Sequence, residues 1–203
     1  MPVIESEENI TIKSKTEIAR RAVCCLVTIQ HAYDLMNQDD EDGSYQFFYG
    51  LLERWGLSEC LTADEQAVFS RALSREQLGI FTWKYEAYWV LAWALGFVKK
   101  LGLPTDTCDV SKAIAFVSDH ESFDSFLKAA KTRKAYEILD ETDLIFRIHW
   151  ACREAGLHGK DSPANMNSSV VLERHMALNW LIRFNVDGEW EDWGDWDNVS
   201  TNT

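Results

Sequence analysis

TWKYEAYWVLAWALGFVKK, residues 82–100, reads as one long helix buried at the centre of a helical protein. Trp83, Glu86, Val90, Trp93 and Phe97 recur at alternating three- and four-residue steps, which places them on one helical face. Its apolar part, Tyr85 to Val98, is shorter than the roughly 18–20 residues that span a bilayer and contains Glu86, so it reads as core rather than membrane. Gly102 and Pro104 supply the stop signals beyond Lys100.

The same periodicity extends outward in both directions. Ile18, Ala22, Cys25, Leu26, Ile29 and Tyr33 mark a first helix from about Lys15 to Met36. Asn37 to Ser44, with four consecutive acids and Gly43, reads as a solvated loop, followed by a helix from Tyr45 to Trp55. Thr62-Ala63-Asp64-Glu65 fits a capping box that starts a helix over 63–73, and Ser74 to Gln77 repeats the box, restarting or bending it. Short helices are expected at 109–118 and 122–131, a long one at 133–155, and a last one at 169–184. No segment alternates long enough to read as a strand, and no repeat is evident. The expected fold is all-α, a single irregular bundle of about seven or eight helices over 16–184. A polar lead-in (1–15) precedes it, and an acidic, tryptophan-rich segment (185–203) docks on it.

The 203 residues include 33 acids, 20 bases and nine tryptophans, for a net charge of −13. Thirteen acids lie in 5–8, 39–42 and 187–197, segments without Lys or Arg; the remaining twenty acids balance the twenty bases. This excess argues against nucleic-acid and anionic-membrane binding, which need basic patches. The N-terminus has acids where a signal peptide has bases. Five cysteines, an odd number without CxxC spacing, favour reduced thiols and a cytoplasmic location.

Charged residues interrupt three apolar seams. Glu86 lies among Trp83, Val90 and Trp93; Glu173 lies among Val170, Ala177, Trp180 and Phe184; Arg174 lies among Val171, Leu178 and Leu181. The long helix carries Tyr136, Asp140, Asp143, Arg147 and Trp150 along one face, with Asp143 four residues before Arg147. Burying a lone carboxylate is costly, so the expectation is a partly buried network of Glu86, Asp140, Asp143, Arg147, Glu173 and Arg174 walled by Trp83, Trp150 and Trp180. Trp83, Trp93, Trp150 and Trp180 should then be mostly buried, with Glu86 bonded to an arginine. Such a network either fixes helix register or lines a small polar pocket.

The strings WKYEAYWVLAWALG (83–96), ILDETDLIFRIHWACREA (138–155), VVLERHMALNWL (170–181) and WDNVSTNT (196–203) resemble the family of domain of unknown function 4272. That resemblance runs from about Thr16 onward and implies a helical domain, mainly bacterial, with no established activity. Family members typically close on Asp-Thr, where Asn202-Thr203 stands here.

Catalytic and metal motifs give no support for a reaction. His149 and Cys152, three apart, read as core; Glu173 and His175 project about 200° apart on a helix and cannot share an ion. No Glu-x-x-His pair, P-loop, GxGxxG or GxSxG is present, so no catalytic residue, metal or cofactor is expected. Trp190, Trp193, Trp196 and Asp197 form a candidate strip for a basic partner. The expected function is a non-catalytic interaction protein with that acidic strip. The alternative is an enzyme or sensor binding a small polar ligand at the Glu/Asp/Arg cluster.

Overall fold

The computed structural model describes residues 9–38 and 40–203; the first eight residues of the lead-in, and Asp39, lie outside them. Among the described residues eight α-helices carry the fold: α1 (Lys15–Asn37), α2 (Glu41–Arg54), α3 (Ala63–Phe69), α4 (Arg75–Ala94), α5 (Val110–Ser118), α6 (Phe123–Ala129), α7 (Ala135–Leu157) and α8 (Ser168–Trp180). The helical reading holds, with one addition. Strands β1 (Ile10–Ile12), β2 (Ile182–Val186) and β3 (Glu189–Asp192) form a small antiparallel sheet in the order β1-β2-β3.

α1 and α4 are the central pair, and α8 packs on α4 while α7 packs on α8. From Ile18 to Ile29 nearly every α1 side chain is buried, as is the α4 run Tyr85 to Ala94 apart from half-buried Trp89. Helices apolar all round have to sit inside. Ser14 opens α1 with a capping box, accepting from the Glu17 amide (3.3 Å) while Glu17 accepts from the Ser14 amide (2.8 Å).

α4 starts seven residues before the expected Thr82. Ser74 and Gln77 complete the capping box there, at 3.3 and 2.9 Å. Thr82 donates instead to the Gly79 carbonyl (2.7 Å), a mid-helix back-bond rather than a cap. The helix ends at Ala94, before the expected Lys100, because another segment takes its last carbonyls. The Lys131 and Arg133 amides donate to Leu95 and Ala94 (2.8 and 3.0 Å), and the Arg133 guanidinium donates to Trp93, Val98 and Lys99 carbonyls (2.9, 2.9 and 2.8 Å). A cation at a helix C-terminus also suits the helix dipole. Gly96 (φ +82°) makes this junction possible, since a Cβ there would lie 2.6 Å from the Lys131 carbonyl oxygen.

α8 stops at Trp180, not Phe184, because the following residues pair with β1: Ile12 opposite Ile182 and Ile10 opposite Phe184. Part of the lead-in is therefore a strand. Asp187 and Gly188, both with positive φ (53° and 94°), form the two-residue turn that returns β3 along β2. Beyond β3 the chain folds back on the helices: Trp196 is buried, and the Ser200 carbonyl accepts from the Asn179 amide (2.8 Å).

Candidate functional site

Glu86 and Arg174, on α4 and α8, form the heart of the charged cluster. Arg174 Nε donates to Glu86 Oε2 at 3.1 Å, and the Cys108 amide donates to the other carboxylate oxygen. Arg174 Nη1 donates to the carbonyls of Leu101 and Gly102 (3.3 and 3.0 Å). Both side chains are buried, so each charge is met by an opposite charge and by backbone groups, the condition for keeping ions out of water.

The rest of the expected network is dispersed. Glu173 points away from Arg174, as successive helical residues must, and pairs with Lys84 at 3.4 Å. Burial raises the Glu173 pKa and Lys84 opposes that rise. Asp143 and Arg147 form a fork-like pair on the outside of α7 (2.7 and 3.1 Å), and Asp140 is exposed. The expected burial of the tryptophans needs correcting as well. Trp83 and Trp150 are exposed, at 39% and 54%, because they occupy outward positions on helices whose opposite faces pack. Trp93 is buried and Trp180 half-buried, the latter meeting Trp196 edge to face at 5.2 Å.

Two cavities flank the Glu86–Arg174 pair. Glu86 lines one of about 430 Å³ between α1, α4 and α5, whose aromatic walls are Tyr33, Trp83 and Tyr85 and whose opposite side carries Cys108, Val110 and Ile114. Gln30 donates to the Tyr85 hydroxyl at its edge. Burial, and then Cys108, push the Tyr85 pKa up to about 12; burial and then Glu86 raise the Cys108 thiol, which is thus a neutral wall group. Arg174 lines the other cavity, of about 510 Å³, together with Asp140 and Glu141 of α7. Burial raises the Glu141 pKa, with Arg174 and Arg133 acting against it.

Three further polar clusters were not expected from the sequence. Arg21 and Glu65 form a buried ion pair, which Trp196 covers with its ring 5.3 Å from the guanidinium carbon. Glu65 doubles as the return arm of the Thr62 capping box, so the box was visible but its arginine was not. His149 and His175 meet across α7 and α8, and Asn179 donates to His175 Nε2 at 3.1 Å. His31 Nδ1 bonds to the Ser44 hydroxyl (2.8 Å), which donates to Asp34 (2.7 Å), while the His31 ring stacks on Phe69 at 4.8 Å. Burial lowers the His31 pKa to about 4.

The candidate partner strip is divided. Trp196 is 5% exposed, and Asp197 accepts from the Asp64 amide (3.1 Å) at the start of α3, so both are committed to docking the tail. Trp190 and Trp193 stay 50% and 42% exposed beside it. Among the described residues no group of three or more His, Cys, Asp or Glu could hold a metal ion. Among the same residues no helix is long and apolar enough to cross a membrane.

Comparison with curated proteins finds no match, and comparison with solved structures finds none. The family model described as "Domain of unknown function (DUF4272)" matches residues 1–199 of the 203. With nearly the whole chain covered, including every element that builds the Glu86–Arg174 pair, the chain belongs to the DUF4272 family.

Proposed function

We propose that this protein binds a small molecule without transforming it, in the cavity beside Glu86. The observation that carries this reading is that the buried ion pair drawn from the expected cluster, Glu86–Arg174, lies between two open cavities rather than in solid packing. The first cavity has the size of a ligand pocket, about 300–1,000 Å³, and the mixture of aromatic walls and few polar groups that such pockets share. Its only thiol, Cys108, is held in the unreactive protonated form, which supports binding over covalent chemistry. Five unpaired cysteines support a reducing, cytoplasmic setting.

The test is ligand-observed NMR with indole and phenethylamine as probes. Saturable binding should be weakened by Trp83→Ala and abolished by Ile114→Trp, which fills the cavity. Binding that survives Ile114→Trp in a folded variant would reject the site.

Exposed Trp190 and Trp193 favour a second reading, docking of a basic protein segment on the β2–β3 hairpin. Residues 184–203 contain six acids and no Lys or Arg, which suits a lysine-rich partner. A lysine-rich peptide should bind the protein and lose affinity to Trp190→Ala; equal affinity for that variant would reject this reading.

A further inference from the structure

The larger cavity, about 510 Å³, lies between the α4 C-terminus, the segment after it, and α7. Its arginines are already committed. Arg133 stacks on Trp93 (4.6 Å), holds carbonyls at the end of α4 and pairs with Glu137 of α7 at 2.9 Å; Arg174 pairs with Glu86. Arg133 thereby braces the two walls at a fixed separation.

Four other charged side chains line the cavity, and none of them forms a hydrogen bond or ion pair with another described residue. Lys99 and Lys100 stand on the wall after α4, and Asp140 and Glu141 stand on α7. Opposite charges thus share one cavity without forming an ion pair. The uncharged lining is Trp93 and otherwise mostly aliphatic, and two of its residues are left in water: Leu103 is 60% exposed and Leu144 44%. A simple anion would meet the α7 carboxylates, and a simple cation would meet the lysines and arginines. A molecule carrying both charges and an aliphatic group satisfies all three features.

We propose that this cavity is a second ligand site, for a small zwitterion of the aliphatic α-amino acid class. The ligand ammonium lies at Glu141 and Asp140, its carboxylate at Lys99 and Lys100, and its side chain on Leu103 and Leu144. Burial raises the Glu141 pKa against the pull of Arg174 and Arg133, neither of which forms an ion pair with it, and a ligand ammonium would supply that contact.

The experiment titrates the full chain by calorimetry with L-leucine, with isoamylamine, which lacks the carboxylate, and with 4-methylvalerate, which lacks the ammonium. Leucine should bind, and each half-analogue should bind about tenfold more weakly or less, the loss expected for one charge-assisted contact. Glu141→Gln should weaken leucine about tenfold while leaving 4-methylvalerate unchanged, and the exposed-site variant Lys99→Met/Lys100→Met should do the converse with isoamylamine. Ile114→Trp, which fills the aromatic cavity, should leave leucine binding intact, so the two sites fail or survive separately. The proposal is overturned if leucine shows no saturable binding, if a half-analogue binds as well as leucine, or if both charge variants, melting as the parent does, keep full affinity.

Discussion

The imidazoles of His149 and His175 meet Nδ1 to Nδ1 at 2.8 Å, a distance that admits one proton between them and not two. Asn179 donates to His175 Nε2, so His175 carries its proton on Nδ1 and donates it to His149. A second proton would set N–H against N–H in a buried site. Burial first, and then the neighbouring ring, hold His175 down to about 4; burial and then Arg153 lower His149.

Stability should therefore fall with acid. The unfolded histidine titrates near 6.5, so between pH 6.5 and about 4 the unfolded chain binds a proton that folded His175 refuses. The stabilisation is complete above that window and is lost as pH falls through it, by up to about 3 kcal/mol for His175 alone. His31, also lowered to about 4, steepens the same slope. Urea midpoints at a series of pH values check this, and His175→Gln should flatten the profile.

Glu86→Gln should destabilise the fold by about 3–5 kcal/mol, because it leaves the Arg174 guanidinium buried without its counter-charge. The paired substitution Glu86→Leu with Arg174→Met should recover much of that loss. A denaturant series on the parent and the two variants measures both; a Glu86→Gln midpoint equal to the parent's would mean that the pair carries no net weight.

Trp196→Ala should release the tail. Removing a buried indole costs about 3–5 kcal/mol, and here it also uncovers the Arg21–Glu65 pair. The Ser200 amide, which donates to the Trp193 carbonyl at 3.0 Å, should then exchange its hydrogen rapidly. Trp190→Ala, at an exposed position, should shift stability by no more than about 0.5 kcal/mol.

Gly96→Ala and Gly188→Ala both force an L side chain to positive φ, at roughly 1–2 kcal/mol each. Only Gly96 adds a backbone collision, with the Lys131 oxygen 2.6 Å from the new Cβ, while nothing lies within 4 Å at Gly188. Thermal melts should rank Gly96→Ala clearly below Gly188→Ala.

The helices were legible because their signals are local. The Ser74 box and the Thr62 box sit where they cap, and the apolar spacing of α1 and α4 gives their burial directly. The sheet was harder to see: β1 is three residues long, and its partner continues an apolar helical period through Phe184. Asp187-Gly188, after the short run Ile182–Val186, was the available hairpin signal, although the run that follows it holds three acids and one tryptophan. Glu86 with Arg174 could be paired in principle from their matching positions on apolar seams. Asp140, Asp143 and Trp150 could not be placed, since spacing says which residues share a face of α7 but not whether that face looks inward. Arg21 and Glu65, 44 residues apart, meet only through tertiary packing.

Pairing Ile10 with Phe184 also sets an order of events during synthesis. β1 leaves the ribosome before α1 and must wait until α1 to α8 have all been made before its partner exists. The α1–α4 core can assemble in that interval, since all its parts lie in the first half of the chain. Sheet closure and the seating of Trp196 over Arg21 then come last, as one late step that joins the two ends of the described chain.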